Sequence, residues 1–370
     1  MRNLLLTLVF PLLLNACYSC RDNNITYAIA QDTLIQIPAF SQYTFFEIKD
    51  TLYFCTKPWH CDSLSVYYMN NQGKWILRSF LQIPKAYTDS ISADEVEEWI
   101  FINMDTVIAY TAYTNFTFLD IKNGRIIRSV PENTDNYGLD SRCFNHLQWN
   151  HKRATLPLMY FSWNYDQRTY RGDVEIAAEY SLEKGLHTIP VKYPYEISDS
   201  YLSDYSSFFN PIVVSHDDIT VFGFTTSPVM IYYDQQKGKA KVKTVKNTYY
   251  KPLPPLDTSD IAILSLPNFI MQQYLVNFFY ESLLYDPYKN IYYRFFAKDM
   301  PLKNEKGLFN TMEDKVYGVS LLNHNLKPMG DVCFKSSDYK RRYYVTLKGL
   351  YNASQINGNT ITSKLTFEYE

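Results

Sequence analysis

Short β-prone segments joined by tight polar turns recur along this chain, and this repetition is the feature that most restricts its fold. In 116–130, for example, two apolar runs flank a turn rich in Lys, Asn and Gly, the usual pattern of a β-hairpin. Wider turns start near Asn70, Asp120, Ser181 and Asp234, at spacings of 50, 61 and 53 residues. Periods of this size are typical of propellers and solenoids.

A narrow hairpin followed by a wider one forms a four-stranded antiparallel sheet, which is one propeller blade. Such a blade has two apolar faces and needs a neighbour on each side. The alternatives fit less well, because a β-sandwich would not repeat a two-hairpin unit and a parallel β-helix has a shorter period. We therefore predict an all-β, six-bladed propeller with blades at 44–80, 98–130, 144–192, 210–245, 276–334, and 341–370 together with 25–38.

The segment "LLYDPYKNIYYRFF", residues 283–296, resembles the wider turns because Asp286 opens its turn and Asn290 closes it. The next such turn, at Asn323, starts after only 37 residues, and a complete blade needs about 40–45 residues. The segment is therefore predicted to be the inner hairpin of the fifth blade. Its strands are expected at 280–286 and 290–297, and those of the outer hairpin at 315–322 and 327–334.

Both ends of the chain are predicted to contribute to the last blade. We expect two strands at 342–351 and 361–370, and up to two more within 25–38. A blade built from both termini closes the ring and removes exposed strand edges.

The N-terminus has the pattern of an export signal. Met1–Asn3 carry one positive charge, and residues 4–14 form an apolar run that is too short to span a bilayer. The run ends in "LLNAC", which resembles a lipobox, so Cys17 is predicted to be acylated; the alternative is an ordinary secretory signal with an incidental Cys. The predicted domains are a signal peptide at 1–16, a tether at 17–24 and one propeller at 25–370.

Charge and apolar patterning exclude two classes of protein. Without residues 1–16 the chain carries 35 basic and 38 acidic residues and no long basic stripe, so no nucleic-acid partner is expected. The most apolar later window, 261–285, includes Pro267, Asn268 and Glu281. A membrane-spanning helix would not carry these residues, and we predict a short helix inserted between two blades.

Four segments carry a resemblance to a known family: "LLNAC", "SLLYDPYKNIYYRF", "SLLNHNLKPMGDV" and the ending "VTLKGLY…LTFEYE". With them the sequence resembles uncharacterised lipoproteins of Bacteroidales whose extracytoplasmic part is predicted to be a six-bladed, TolB-like propeller, and the resemblance covers essentially the mature chain. It implies the fold, the lipid anchor at Cys17 and a location in the cell envelope. It implies no catalytic residue.

No motif for a cofactor, phosphate or metal is found, so we expect no cofactor. His146 and His151 lack a nearby acidic third ligand, and no metal site is predicted. The six cysteines include no CxxC pair. Cys55 and Cys61 are close enough for a small-loop disulfide, and buried free thiols are the alternative.

Aromatic and polar residues in predicted loops are the binding candidates, because rings beside Asn or Arg suit sugar or peptide recognition. Large aromatic residues that pack between blades are the competing explanation. Trp59 and His60 form an alternative patch. The primary candidates are Trp149, Trp163, Tyr165, Arg168, and, on an inner strand, Tyr293 and Arg294.

These observations predict a binding or interaction module of the cell envelope, anchored by lipid to the outer membrane on either its periplasmic or its surface face. Its partner would be a glycan, a peptide or an envelope protein. The alternative is a propeller enzyme, a glycan hydrolase or lyase with its site in the central channel. Two facing carboxylates would favour that enzyme.

Overall fold

The computed structural model describes residues 25–35, 40–111, 115–131, 133–134, 137–139, 148–161, 163–164, 169–170, 175–192, 211–253, 267–334, 342–356 and 359–369. Within these ranges the chain forms six principal antiparallel sheets, five of them four-stranded, and one two-stranded hairpin. The prediction of an all-β, six-bladed propeller is confirmed.

The strands in chain order are β1 (Ile25–Ile35), β2 (Phe40–Ile48), β3 (Thr51–Pro58), β4 (Ser63–Met69), β5 (Trp75–Gln82), β6 (Val96–Phe101), β7 (Thr106–Thr111), β8 (Asn115–Asp120), β9 (Arg125–Pro131), β10 (Asn133–Thr134), β11 (Tyr137–Leu139), β12 (Thr155–Phe161), β13 (Trp163–Asn164), β14 (Thr169–Tyr170), β15 (Glu175–Ser181), β16 (Gly185–Lys192), β17 (Pro211–His216), β18 (Ile219–Phe224), β19 (Val229–Asp234), β20 (Lys239–Thr244), β21 (Phe279–Asp286), β22 (Ile291–Ala297), β23 (Tyr317–Asn323), β24 (Pro328–Cys333), β25 (Tyr344–Thr346), β26 (Gly349–Ile356) and β27 (Asn359–Tyr369). The helices are α1 (Lys85–Thr88) and α2 (Pro267–Val276), with a 3-10 turn at Ala93–Glu95.

The six sheets follow one another along the chain as blades one to six. Blades one, two, four and five are β2–β5, β6–β9, β17–β20 and β21–β24, each in sequential order. The third sheet has the order β10-β11-β12-β15-β16, and the hairpin β13-β14 is inserted between β12 and β15. This blade was predicted at 144–192, and the start was wrong, because β10 and β11 at 133–139 belong to the same sheet.

The sixth blade closes the ring with strands from both ends of the chain. Its order is β25-β26-β27-β1, and Ile25 pairs with Tyr369. The predicted strand at 342–351 was wrong in one detail, because it divides into β25 and β26 at a turn before Gly349. Gly349 has a φ of 132°, which strongly favours glycine. The C-terminal region therefore supplies three strands, and the N-terminal region supplies one.

Each blade has two ends, which we name by their connections. We call one end the turn face. It carries the turns that join the first strand to the second and the third strand to the fourth. We call the opposite end the loop face. It carries the loops that join the second strand to the third and each blade to the next. Helices α1 and α2 lie in connections between blades and thus on the loop face. The predicted helix between blades four and five is confirmed by α2.

Side-chain oxygens at the ends of third strands close the wider turns. Asp120 Oδ1 accepts the N–H of Asn123 at 3.0 Å, and Ser181 Oγ accepts that of Lys184 at 2.9 Å. Gly124 ends the first of these turns with a φ of 63°. Asp, Asn and Ser recur at these positions because their short side chains hydrogen-bond the backbone of the turn.

The fifth blade confirms the inner position of the hairpin at 283–296, because β21 and β22 are its first two strands. Asp286 is 1% exposed, and its Oδ1 accepts the N–H groups of Tyr288 and Lys289 at 2.9 and 3.0 Å. Similar turn chemistry therefore occurs in an inner and an outer hairpin.

Six clusters of buried apolar residues lie within the described part of the chain, one between each pair of neighbouring blades. The cluster between blades six and one joins Tyr351 to Phe45 and Phe54, which closes the ring. Full burial of a Phe side chain such as Phe54 contributes about 1.5–3 kcal/mol. No helix in the described ranges is long and apolar enough to cross a membrane.

Candidate functional site

A pocket of about 550 Å³ opens on the turn face between the two turns of the third blade. One wall comes from the turn that precedes β12, and the other comes from the turn between β15 and β16. The lining residues are Trp149, Arg153, Ala154, Thr155, Ser181, Leu182, Glu183, Lys184 and His187. The pocket thus combines an indole, a hydroxyl group and charges of both signs.

Trp149 both packs and lines the pocket. Its ring meets Phe118 of the second blade edge-on, with 6.1 Å between centroids and 72° between planes. It packs against the apolar cluster between blades two and three without being fully buried. The two explanations for this residue, interblade packing and ligand contact, are therefore compatible here.

A buried carboxylate holds the polar wall of the pocket in place. Glu179 is fully buried, and its Oε2 lies 3.0 Å from Arg153 Nη2 and 3.3 Å from His187 Nε2. Gln235, in the turn between β19 and β20, donates a hydrogen bond to Glu179 Oε1. Because Arg153 and His187 both lie against this buried carboxylate, Glu179 holds both side chains in place at the pocket wall.

A second ion pair fixes the same turn to the fourth blade. Lys152 Nζ donates to Asp218 Oδ2 at 2.7 Å, and Arg153 Nη1 lies 3.8 Å from Asp218 Oδ1. The hydrogen bond from Lys152 lowers the pKa of Asp218, and the same bond raises the pKa of Lys152. Asn150 completes this junction by donating from Nδ2 to Ser215 Oγ at 3.0 Å and to the carbonyl of Asp217 at 2.9 Å.

Two buried polar atoms of the pocket wall lack a hydrogen-bond partner among the described residues. They are the Thr155 hydroxyl oxygen and Arg153 Nε, and Thr155 is only 3% exposed. Buried polar atoms are normally hydrogen-bonded, and leaving one unpaired costs about 1–3 kcal/mol. Neither atom has accessible surface in the open pocket, so both lie behind its wall.

The structure separates the candidates predicted from sequence. Trp163 lies in β13, which follows the loop-face end of β12, whereas Trp149 precedes the turn-face end of that strand. The seven residues of β12 span about 20 Å, so the two tryptophan positions lie at opposite ends of the blade. Tyr165 and Arg168 lie outside the described residues, and ligand contact by them stays a prediction.

Tyr293 and Arg294 lie in the interior, each 1% exposed. The Tyr293 side chain packs between blades five and six, and its hydroxyl group donates a hydrogen bond to Asp286 Oδ2 at 2.9 Å. Arg294 lies on the other side of β22, between blades four and five. Neither side chain offers a surface to a ligand in this structure.

Arg294 stabilises a loop of the neighbouring blade. Its guanidinium group donates to four carbonyl oxygens and lies 3.3 Å from the centroid of the Tyr280 ring. Burial lowers its pKa to about 10. The four acceptors belong to Phe224, Ser227, Pro228 and Val245.

The alternative patch lies on the loop face. Trp59 is 51% exposed, and its ring centroid lies 6.2 Å from that of His60. Cys61 beside them is an exposed free thiol, and Cys55 is a buried one. Both thiols are free in this structure, and the alternative of buried free thiols holds for Cys55 but not for Cys61.

Sequence patterns did not identify Arg153, Thr155 or His187 as part of a site. Arg153 and Thr155 lie four and six residues after Trp149, so including the residues that follow this tryptophan would have found them. His187 is separated from Trp149 by more than thirty positions in the sequence, and pairing of β12 with β15 and β15 with β16 brings the two turns together.

No family model matches the sequence, and no curated protein matches it. Among solved structures, a member of the DUF4221 family from Bacteroides vulgatus ATCC 8482 is similar, with a TM-score of 0.68, 16% identity, and coverage of 94% of this chain and 99% of that chain. The propeller domain of Cps50 (Swd1) from Myceliophteria thermophila aligns with a TM-score of 0.42 and 9% identity over 91% of this chain and 100% of that chain. The likeness to the Bacteroides protein extends over nearly the whole of both chains, and what the two proteins share is the six-bladed propeller fold.

Proposed function

We propose that this protein is a binding module of the cell envelope, anchored by lipid at Cys17, whose propeller takes a hydroxyl-rich ligand such as a glycan in the pocket of the third blade. The observation that carries this proposal is the position of the half-buried Trp149 in one pocket with the exposed side chains of Lys184 and His187. An indole provides an apolar face for a sugar ring. The Lys184 ammonium group and the His187 imidazole would form hydrogen bonds with its hydroxyl groups.

The lining favours binding over glycoside hydrolysis. A glycosidase commonly needs two carboxyl groups that flank the scissile bond. Glu183 is the exposed carboxylate among the lining residues. Glu179 lies behind the pocket wall, fully buried and bound to Arg153.

The test is a glycan screen with the purified acylated protein, followed by calorimetry on each hit. We expect Trp149→Ala to weaken binding about ten-fold or more. His187→Leu, which removes an exposed hydrogen-bonding ring from the pocket, should weaken it about five-fold. The matched control is Trp59→Ala, which removes an exposed indole from the loop face and should leave affinity unchanged.

Three outcomes would count against this function. Loss of binding in Trp59→Ala but not in Trp149→Ala would move the site to the loop face. Turnover of a bound polysaccharide would support the enzyme alternative. Absence of binding to any glycan in the screen would contradict the proposed ligand class.

The anchor is tested separately by metabolic labelling with palmitate. Label should be incorporated into the native chain and absent from Cys17→Ala. Label that persists in this variant would contradict acylation at that position, without bearing on the pocket.

A further inference from the structure

The outer strand of blade four lies in a basic stretch of the chain. Residues 235–253 contain six lysines and no acidic residue, whereas the whole chain has 36 basic and 38 acidic residues. The stretch covers the turn that follows β19, strand β20 and the segment after it. This part of the rim therefore carries a local excess of positive charge in a chain with a formal net charge of −2.

Alternation along β20 places three of these lysines side by side. Lys239, Lys241 and Lys243 follow one another at every second position, so their side chains share one face of the strand at intervals of about 7 Å. Lys241 is the cross-strand partner of Tyr232, which packs between blades four and five. The three lysines, which we call the lysine row, thus lie on the side of β20 that faces blade five.

The carboxylates that border the lysine row are engaged by other groups. Asp234, the cross-strand partner of Lys239, accepts a hydrogen bond from Lys237 at 2.6 Å. Asp331 of blade five is 7% exposed and accepts the N–H of Thr248 at 2.7 Å. Within the described ranges the lysine row forms no ion pair, so one bordering carboxylate, already bound to a fourth lysine, stands against three further positive charges.

The lysine row is open to solvent along most of its length. Lys239 and Lys241 are exposed, and Lys243 is half-buried, with its ammonium group donating to the carbonyl of Asn325 in blade five. An ammonium group has three donors, so Lys243 keeps two N–H groups for a ligand.

Protection of a sheet edge is the competing explanation, because lysine on an edge strand discourages pairing with another chain. The other five outer strands, β5, β9, β16, β24 and β1, carry at most two lysine or arginine residues each. The ring therefore protects its other edges without three lysines in a row, and edge protection alone does not account for β20.

The turn that leads into β20 also contacts the pocket wall of blade three. Gln235, four residues before Lys239, donates a hydrogen bond to Glu179, which holds Arg153 and His187 at the pocket. The same turn continues directly into β20. The pocket and the lysine row are therefore neighbours on adjacent blades.

We propose that the lysine row binds an acidic polysaccharide, a linear polymer with carboxylate or sulfate groups, along β20. Positive charges in a single line of about 14 Å suit a linear polyanion. Val242, the exposed apolar residue of this strand, lies on its other face, so β20 does not combine lysine and apolar side chains on one face as a membrane-docking surface does. The choice of a polysaccharide rests on the proposed function and gives the glycan of the pocket a negative charge.

The test measures binding of fluorescein-labelled polygalacturonate and heparin to the purified acylated protein by fluorescence anisotropy at increasing salt concentration. The first polymer carries carboxylates and the second also carries sulfates, and neutral dextran is the reference. We expect the native protein to bind both polyanions, with an affinity that falls as salt rises, because salt screens the attraction between exposed charges.

Substitution of the row identifies the contact. The triple variant Lys239→Gln, Lys241→Gln and Lys243→Gln should bind the polyanions about ten-fold more weakly at low salt and lose most of the salt dependence. The matched control removes the same charge at exposed positions of blades one, two and five, through Lys74→Gln, Lys122→Gln and Lys306→Gln. The control should keep the native affinity within about two-fold, and circular dichroism verifies that each variant is folded.

Three results would overturn the proposal. Equal losses in the two triple variants would show that net charge alone governs binding. Self-association of the row variant in size-exclusion chromatography, with unchanged affinity for the polyanions, would assign the lysines to edge protection. Binding of anionic vesicles or single-stranded DNA through the row, and of neither polysaccharide, would contradict the ligand class.

The lysine row and the pocket are tested independently. The row variant should keep the binding of neutral glycans, and Trp149→Ala should keep the salt-dependent binding of polyanions. If no neutral glycan binds the pocket, the salt dependence of polyanion binding still decides whether the lysine row is a site.

Discussion

His216, at the end of the first strand of blade four, should make the stability of the propeller depend on pH. Its ring stacks on Tyr285 with 3.5 Å between centroids, and its Nε2 lies 2.6 Å from the Tyr292 hydroxyl oxygen. Asp217 is the nearest acidic partner, with its Oδ2 3.7 Å from His216 Nδ1. Burial outweighs this carboxylate and lowers the pKa of His216 to about 4.

The direction and size of the effect follow from linkage. The unfolded chain, with a histidine pKa of about 6.5, takes up the proton first as the pH falls. The contribution of the neutral His216 ring to the free energy of unfolding is therefore fully present above about pH 6.5. It is lost as the pH falls from about 6.5 to about 4. Between about pH 7.5 and pH 5 the free energy of unfolding should fall by about 2 kcal/mol from this group.

Urea denaturation at both pH values measures this difference. Other groups also titrate, so the loss of unfolding free energy between the two pH values is compared in the native protein and in His216→Phe. This variant keeps an aromatic ring on Tyr285, and the difference between the two losses is the contribution of His216. His324→Gln, at an exposed turn of blade five, is the matched control and should behave as the native protein does. An equal loss in the native protein and in His216→Phe would refute the assignment to this residue.

Three further predictions concern two buried polar side chains and the reactivity of two thiols. Arg294→Met should lower the free energy of unfolding by about 2–4 kcal/mol, because four carbonyl oxygens lose a charged donor; a loss under about 1 kcal/mol in urea denaturation would show that water replaces the guanidinium group. Asp286→Ala should cost about 2–4 kcal/mol because two turn N–H groups and the Tyr293 hydroxyl group lose their acceptor; the same change at the more exposed Asp234 should cost clearly less, and equal losses would contradict this ranking. Maleimide should modify Cys61 in the native protein and Cys55 only after unfolding, because Cys55 is 1% exposed and burial raises the pKa of its thiol. Peptide mapping by mass spectrometry measures the modification of each thiol. Protection of both thiols would indicate a disulfide between them.

The turns were predictable from sequence because their chemistry is local. Asp120 and Ser181 hydrogen-bond N–H groups only three residues away, so residue type and spacing carry the signal. The same locality explains why the blade at 276–334 could be outlined in advance, since its strands pair in sequential order.

Locality also explains the one error in the sixth blade. The segment 342–351 has an apolar pattern that is compatible with one strand. Its division depends on Thr346, whose hydroxyl group donates to the carbonyl of Gly349 at 2.9 Å, and on pairing with β27 from the end of the chain.

The repeating unit, the number of blades and the closure of the ring could be predicted from the residues alone, because these depend on turn chemistry and alternating burial within short segments. Which aromatic and charged residues lie inside and which line a surface depends on how the blades pack in the folded ring. Arg294 and Trp149 show why: the first is enclosed by carbonyl groups of the neighbouring blade, and the second lies over a pocket formed by two turns more than thirty residues apart. The burial of a side chain depends on which neighbouring blade covers its strand. That arrangement exists only in the closed ring and cannot be read from one segment.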